Sequence, residues 1–174
     1  RSMFNPFYQI EAYTIRSERI KLDVQSSPNP PSDHSGIVGS YSMQVNYSTP
    51  DITSDDVIQL KVKVSGKGDI KQVTAPEIGV DKQFFDFLEP QVNEKIYEKN
   101  GQLYGRRDFT YVISPKAIGD FTIKPTFVYY NPTKKKYIRK DSTIRINVSP
   151  GDAPLPDKAD LNNREVLDKI EKVS

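Results

Sequence analysis

Few residues in this chain could carry chemistry. His34 is the single histidine, and there is no cysteine. It falls in SSPNPPSDHSG, a Pro-, Ser- and Asn-rich stretch where a solvated side chain is expected. Without a positioned imidazole or a thiol, neither a Ser-His-Asp nor a Cys-His arrangement can be assembled. A zinc site needs three or four nitrogen or sulfur ligands, and the composition does not supply them. Asp51, Asp55 and Asp56 in PDITSDDV offer the hard oxygens that calcium takes, but their spacing matches no EF-hand loop. A polar turn before a strand is the expected reading. SGKGDI combines glycines with a lysine, yet it lacks the GxxxxGK[ST] spacing and a following helix. No pair of carboxylates stands out for glycoside hydrolysis. The expectation is a non-enzymatic protein with no catalytic, metal-binding or cofactor-binding residues.

Residues suited to contact rather than catalysis are easier to find. The chain has ten Tyr and eight Phe but no Trp. Rings left on a sheet surface can hold a protein partner or a carbohydrate. Phe84, Phe85, Tyr104 and Tyr130 are candidate partner contacts on this ground. Lys135 and Tyr137 join them, because Lys134, Lys135 and Lys136 with Tyr137, Arg139 and Lys140 form a basic, aromatic-interleaved tip. The formal net charge is only +2. Averaged over the chain, that bias argues for neither a nucleic acid nor an acidic partner. With 36% hydrophobic and 28% charged residues, the 174-residue chain has a water-compatible composition. It contains no apolar run near the ~18 residues of a membrane span.

The elements that must position these residues show in a period of two. Tyr41, Met43, Val45 and Tyr47 alternate with polar residues. So do Ile58, Leu60, Val62 and Val64; then Phe109, Tyr111 and Ile113; then Phe121, Ile123, Phe127 and Tyr129; then Ile144, Ile146 and Val148. Alternation places one set inward and the other outward, which defines half-buried strands. Several such strands between turn signals predict an all-β, immunoglobulin-like antiparallel β-sandwich. Asn100-Gly101 tolerates the positive φ of a tight hairpin. Gly66 and Gly68 in SGKGDI are expected to break and reverse a strand.

An internal echo suggests the organisation. YTIRSERIKLDV (residues 13–24) and YIRKDSTIRINV (residues 137–148) each place a Tyr eleven positions before a final Val. On this reading residues 1–25 are the trailing strands of an upstream immunoglobulin-like repeat. Residues 26–35 form a linker, 36–149 the sandwich and 150–160 a second linker. Residues 161–174, LNNREVLDKIEKVS, carry apolar residues at helical spacing. They predict a short helix capped by Asn162 with Glu165.

ISPKAIGDFTI answers to architecture. Pro115 closes one strand, Gly119 permits the turn and Phe121 starts the next strand as the corner aromatic. The order of such signals resembles the BatD family of bacterial oxygen-tolerance (aerotolerance) proteins. The resemblance rests on Gly39 in GIVGSYSM, on Gly66, Gly68 and Pro76 in DVIQLKVKVSGKGDIKQVTAPEI, and on FDFLEPQV. It continues through Tyr111, Pro115, Gly119, Phe121, Pro125 and Pro132 in GRRDFTYVISPKAIGDFTIKPTFVYYNP. Asp69 and Asn131 depart from the family pattern at turn positions. The resemblance implies an extracytoplasmic (periplasmic) protein, anchored to the membrane by a segment outside this stretch. It also implies work beside Bat-type von Willebrand factor A membrane proteins and a MoxR-type ATPase. The expected function is therefore a protein–protein interaction module of a membrane-associated Bat assembly. The alternative is a carbohydrate- or cell-surface-binding sandwich.

Overall fold

A computed structural model describes residues 12–26 and 28–162. The strands are β1 (Gly39–Tyr47), β2 (Asp51–Thr53), β3 (Ile58–Gly68), β4 (Glu77–Gly79), β5 (Phe85–Phe87), β6 (Gln91–Lys99), β7 (Gln102–Pro115), β8 (Gly119–Asn131), β9 (Lys136–Asp141) and β10 (Ile144–Ser149). One sheet runs β1-β3-β7-β5, with β6 also paired to β7. The other runs β2-β10-β8-β4, with β9 paired to β8. The leading edge changes sheets. β1 pairs antiparallel with β3, and after a short crossing β2 pairs parallel with β10. This strand order and the sheet switch make an immunoglobulin-like sandwich.

The alternation in sequence becomes the division between core and surface. Ile58, Leu60, Val62 and Val64 on β3 are each 0% exposed. Phe109 and Ile113 on β7 lie opposite Val62 and Ile58, and Ile123 faces them from the second sheet's buried set. Burial of each such side chain contributes roughly 1.5–3 kcal/mol, so the paired inner faces dominate stability. Along β1 burial fades from Tyr41 to Tyr47, which is 42% exposed. Buried hydroxyls find carbonyls. Tyr129 donates to Tyr41 O at 2.9 Å and Tyr111 donates to Pro76 O at 2.7 Å.

Glycines serve two different ends. Asn100 and Gly101 take φ of 53° and 69° in the β6–β7 hairpin, as a two-residue turn requires. Gly66 and Gly68 do not break the strand as the sequence reading expected, because β3 runs through both. A Cβ on Gly66 would stand 2.1 Å from Ser40 O, and one on Gly68 2.2 Å from the Tyr41 hydroxyl. They clear room for β1 and the Tyr41 ring. Reversal comes afterwards, in a 3-10 turn at Ile70–Gln72. At the β7–β8 corner Gly119 has φ 128°. Phe121 packs there against Phe85 and Phe84, at centroid distances of 4.8 and 5.4 Å.

The two segments read as linkers are both docked. Tyr137 Oη donates to Pro28 O at 2.7 Å, and the Arg139 guanidinium pairs with Asp33. His34 meets the Tyr137 ring edge-on at 4.6 Å. Ser35 and Ile37 then bond along β8 at Val128 and Tyr130. Residues 28–37 thus form a strap across the outer face of the second sheet, and Val128 beneath it is 3% exposed. On the other side of the domain, Asp55 accepts from the Asp152 and Ala153 amides, each at 2.7 Å. Ser54 Oγ donates to Ala153 O at 2.8 Å and accepts from Gly151 N at 2.9 Å. This clasp leads to a helical turn over residues 158–162. Asp157 caps the turn by accepting from Ala159 N at 2.8 Å, so the helix starts earlier than the Asn162 cap implied. Glu165 and the rest of the expected helix lie outside the described residues. At the other end, residues 12–26 form no strand, and Ile15, Ile20, Leu22 and Val24 stand exposed. Residues 1–11 of the expected upstream strands lie outside the described residues.

Candidate interaction surfaces

The sequence-derived contact residues separate into three groups. Phe84 and Phe85 are core residues, 3% and 2% exposed. They seat the Phe121 corner, so they are not partner contacts. Short β5 takes Phe85 inward by pairing with the end of β7. The preceding turn holds Phe84 inward through Phe84 N to Asp81 O at 3.1 Å and Lys116 N to Phe84 O at 2.8 Å. Tyr130 and Tyr137 form an edge-to-face pair at 5.1 Å. Through Tyr137 they hold this chain's own strap. Lys135 occupies the β8–β9 tip with φ 51°, and Asn131 Oδ1 accepts from Lys134 N at 2.9 Å to close that turn.

Tyr104 lies elsewhere, on the β6–β7 ribbon. Its ring stacks on Tyr97 at 5.8 Å and 11°, and Tyr97 is 55% exposed. The pair sits on the outward face of the first sheet. Register puts the outward positions of β3, β7 and β6 in rows, with Lys67, Tyr104 and Tyr97 in one and Ser65, Arg106 and Lys95 in the next. Lys61 and Lys63 share the same β3 parity, because their neighbours Leu60, Val62 and Val64 point inward. Asp108 is the acid at the middle of this face. It lies opposite Lys63 and Asn93 and is 6% exposed. Arg106 Nε reaches its Oδ2 at 3.2 Å. Its Oδ1 is buried without a hydrogen-bond partner among the described residues. β1 lines the same face with neutral Ser42 and Gln44, opposite Ser65 and Lys63.

Sequence reasoning missed one cation altogether. Arg107 has the inward parity of Phe109 and Tyr111, yet it is charged. Its Nη1 donates to Lys71 O and Val73 O, both at 2.7 Å. Its Nε lies 3.5 Å from Glu94 of β6. One guanidinium therefore ties the 3-10 turn to the ribbon. The inward period was the available signal, since a charge on a buried-face position must find partners.

Between the open edges β4 and β5 lies a slit of about 530 Å³, floored by Phe85 and Tyr111 and rimmed by Glu77, Lys82 and Asp86. Burial pushes the Tyr111 hydroxyl well above the usual phenol range, and its proton is committed to Pro76 O. It is a hydrogen-bonded structural group. Two of the three acids in PDITSDDV are engaged within the chain. Asp55 holds the clasp. Asp56 accepts from Thr53 N and Oγ1, each at 2.8 Å, and these bonds hold its carboxyl below the ordinary range. Among the described residues no group of three or more His, Cys, Asp or Glu side chains converges on a metal position.

Comparison with known families matches residues 45–148 to the BatD DUF11-like domain. That span covers more than half of the chain and runs from within β1 into β10. The chain belongs to the BatD family. The match to BatD begins inside β1, so the strap before it is outside the matched domain. No curated protein and no solved structure matches the chain.

Proposed function

We propose that this BatD-family domain is a non-enzymatic interaction module of an aerotolerance-related, membrane-associated Bat assembly on the extracytoplasmic side. The observation that carries the reading is the exposed first sheet within a family-matched domain. Its outward face is polar, and among the described residues the nine residues of β6 pair only with β7. An open edge and a ladder of exposed side chains suit docking of another protein. Partners of the Bat-type von Willebrand factor A class are expected from the family. A carbohydrate-binding reading is the alternative, supported by the exposed Tyr97–Tyr104 stack.

Affinity capture tests the proposal. The 174-residue chain is immobilised, detergent-solubilised envelope extract of the source bacterium is passed over it, and bound proteins are identified by mass spectrometry. A von Willebrand factor A-type membrane protein should be retained. If none is retained and a glycan array is positive, the assembly reading fails and the alternative replaces it.

A further inference from the structure

We infer that the outward face of β3, β7 and β6 is the docking site for a protein surface bearing a ring of carboxylates. This deepens the interaction-module reading and rests on it. The chain's formal charge of +2 conceals the asymmetry. Alternation sends Lys61, Lys63, Lys67, Lys95, Lys99 and Arg106 to one side of one sheet. The facing acid, Asp108, is buried and already engaged by Arg106. Like charges opposite one another on neighbouring strands are unfavourable, and Arg106 with Lys95 is such a pair. That tension is relieved when an anionic surface covers the row.

The layout favours protein over a phosphate polymer. No row across the three strands is cationic throughout: Lys63 is followed by Asp108 and Asn93, and Lys67 by Tyr104 and Tyr97. A polyphosphate track, whose charge repeats without a break, would meet uncharged positions between the cations. A protein surface can place carboxylates over the lysines and neutral or aromatic contacts between them. The exposed Tyr97 with Tyr104 and Arg106 supplies residue types enriched in protein interfaces. From general strand geometry the face spans roughly 14 Å across the strands and 20 Å along them. That is smaller than the ~800 Å² per partner of a standard interface. The fit is to a salt-sensitive, exchangeable contact.

The test reads the face without needing the natural partner. The ¹⁵N-labelled full chain is titrated by NMR with a polyglutamate decapeptide at low and at physiological salt. An oligothymidylate of equal charge is titrated in parallel. The expected result is saturable shifts at amides 61–67, 95–97 and 104–108, tighter for the peptide than for the oligonucleotide and weakened by salt. Lys61→Glu with Lys95→Glu should weaken peptide binding at least about tenfold. Lys134→Glu with Lys136→Glu, at the other basic tip, should leave it unchanged. Lys61→Gln with Lys95→Gln replaces the reversal pair if that pair perturbs folding. Shifts centred on residues 134–136, tighter oligonucleotide binding or no saturation would each overturn the inference. An envelope partner captured equally by the wild type and the Lys61/Lys95 variant would remove this face and leave the module reading standing.

Discussion

Replacing Arg107 by Met removes the guanidinium while keeping an unbranched, apolar stem over Phe109, whose ring centroid lies 5.8 Å from the Arg107 Cζ. Two bonds to backbone carbonyls are lost, each 2.7 Å long. Hydrogen bonds to a charged group contribute ~1.5–3 kcal/mol each. The Lys71 carbonyl lies at an exposed site where water can replace the donor. The Val73 carbonyl is partly buried. The ion pair with Glu94 adds little, since that carboxylate side chain is 42% exposed and such pairs are worth ~0–1 kcal/mol. The expected loss is therefore about 2 kcal/mol, carried mainly by the Val73 bond. For a sandwich of about 115 residues this corresponds to a fall of about 8 °C in Tm. Urea and thermal unfolding followed by circular dichroism give the number. Lys67→Met is the matched control, because that side chain is exposed on the outward face of the same sheet, and it should cost less than about 0.5 kcal/mol. Equal losses for the two variants, or a loss under about 0.5 kcal/mol at Arg107, would refute the assignment of Arg107 as the pin of the 3-10 turn.

Phe85→Ala should destabilise by about 3–5 kcal/mol through the cavity left beneath Phe121, measured by urea unfolding, whereas Tyr97→Ala should cost less than about 1 kcal/mol. Asp55→Ala should speed hydrogen exchange of the Asp152 and Ala153 amides, which lose their 2.7 Å acceptors; protection there unchanged from wild type would remove the clasp. Burial, with Asp69 and Tyr129 nearby, raises the Tyr41 hydroxyl from 10.0 to about 12. The folded state then holds a proton that the unfolded state gives up above pH 10.0, so the Tyr41 contribution is intact below that pH and declines up to about pH 12. Urea midpoints at pH 9 and pH 11 check this, and Tyr41→Phe should reduce the difference, the remainder coming from the raised Tyr111 hydroxyl.

The sandwich was legible because period two survives wherever one face is buried. β3 shows it plainly, with four inward aliphatics and lysines between them. The β6–β7 turn was legible because Asn-Gly names its own backbone conformation. Other features needed the third dimension. The twin glycines of β3 read as a strand break, since nothing local reveals that Tyr41 of another strand occupies the space above them. Phe84 and Phe85 read as surface candidates because adjacent aromatics cannot both follow one alternation. A turn held by backbone bonds to Asp81 and Phe84 is what sends both inward. Proline-rich SSPNPPSDHSG read as a linker on composition, yet its carbonyls and Asp33 find Tyr137 and Arg139 more than a hundred positions away. The cationic face was hidden by averaging, because net charge carries no record of which side of a strand each lysine takes.

The parallel pairing of β2 with β10 has a mechanical meaning. β2 lies near the leading end of the sandwich and β10 at its trailing end, in register from Asn147 opposite Asp51 to Ser149 opposite Thr53. Bonds from Asn147 N to Pro50 O and from Ser54 N to Ser149 O bracket this patch. Tension applied to the chain through its two ends pulls parallel neighbours in opposite directions along their own axes. Every bond of the patch is then sheared together, whereas an antiparallel hairpin pulled at its open end loses its bonds one after another. The strap, the clasp and β1 can peel first. The patch would then set the force at which the domain opens.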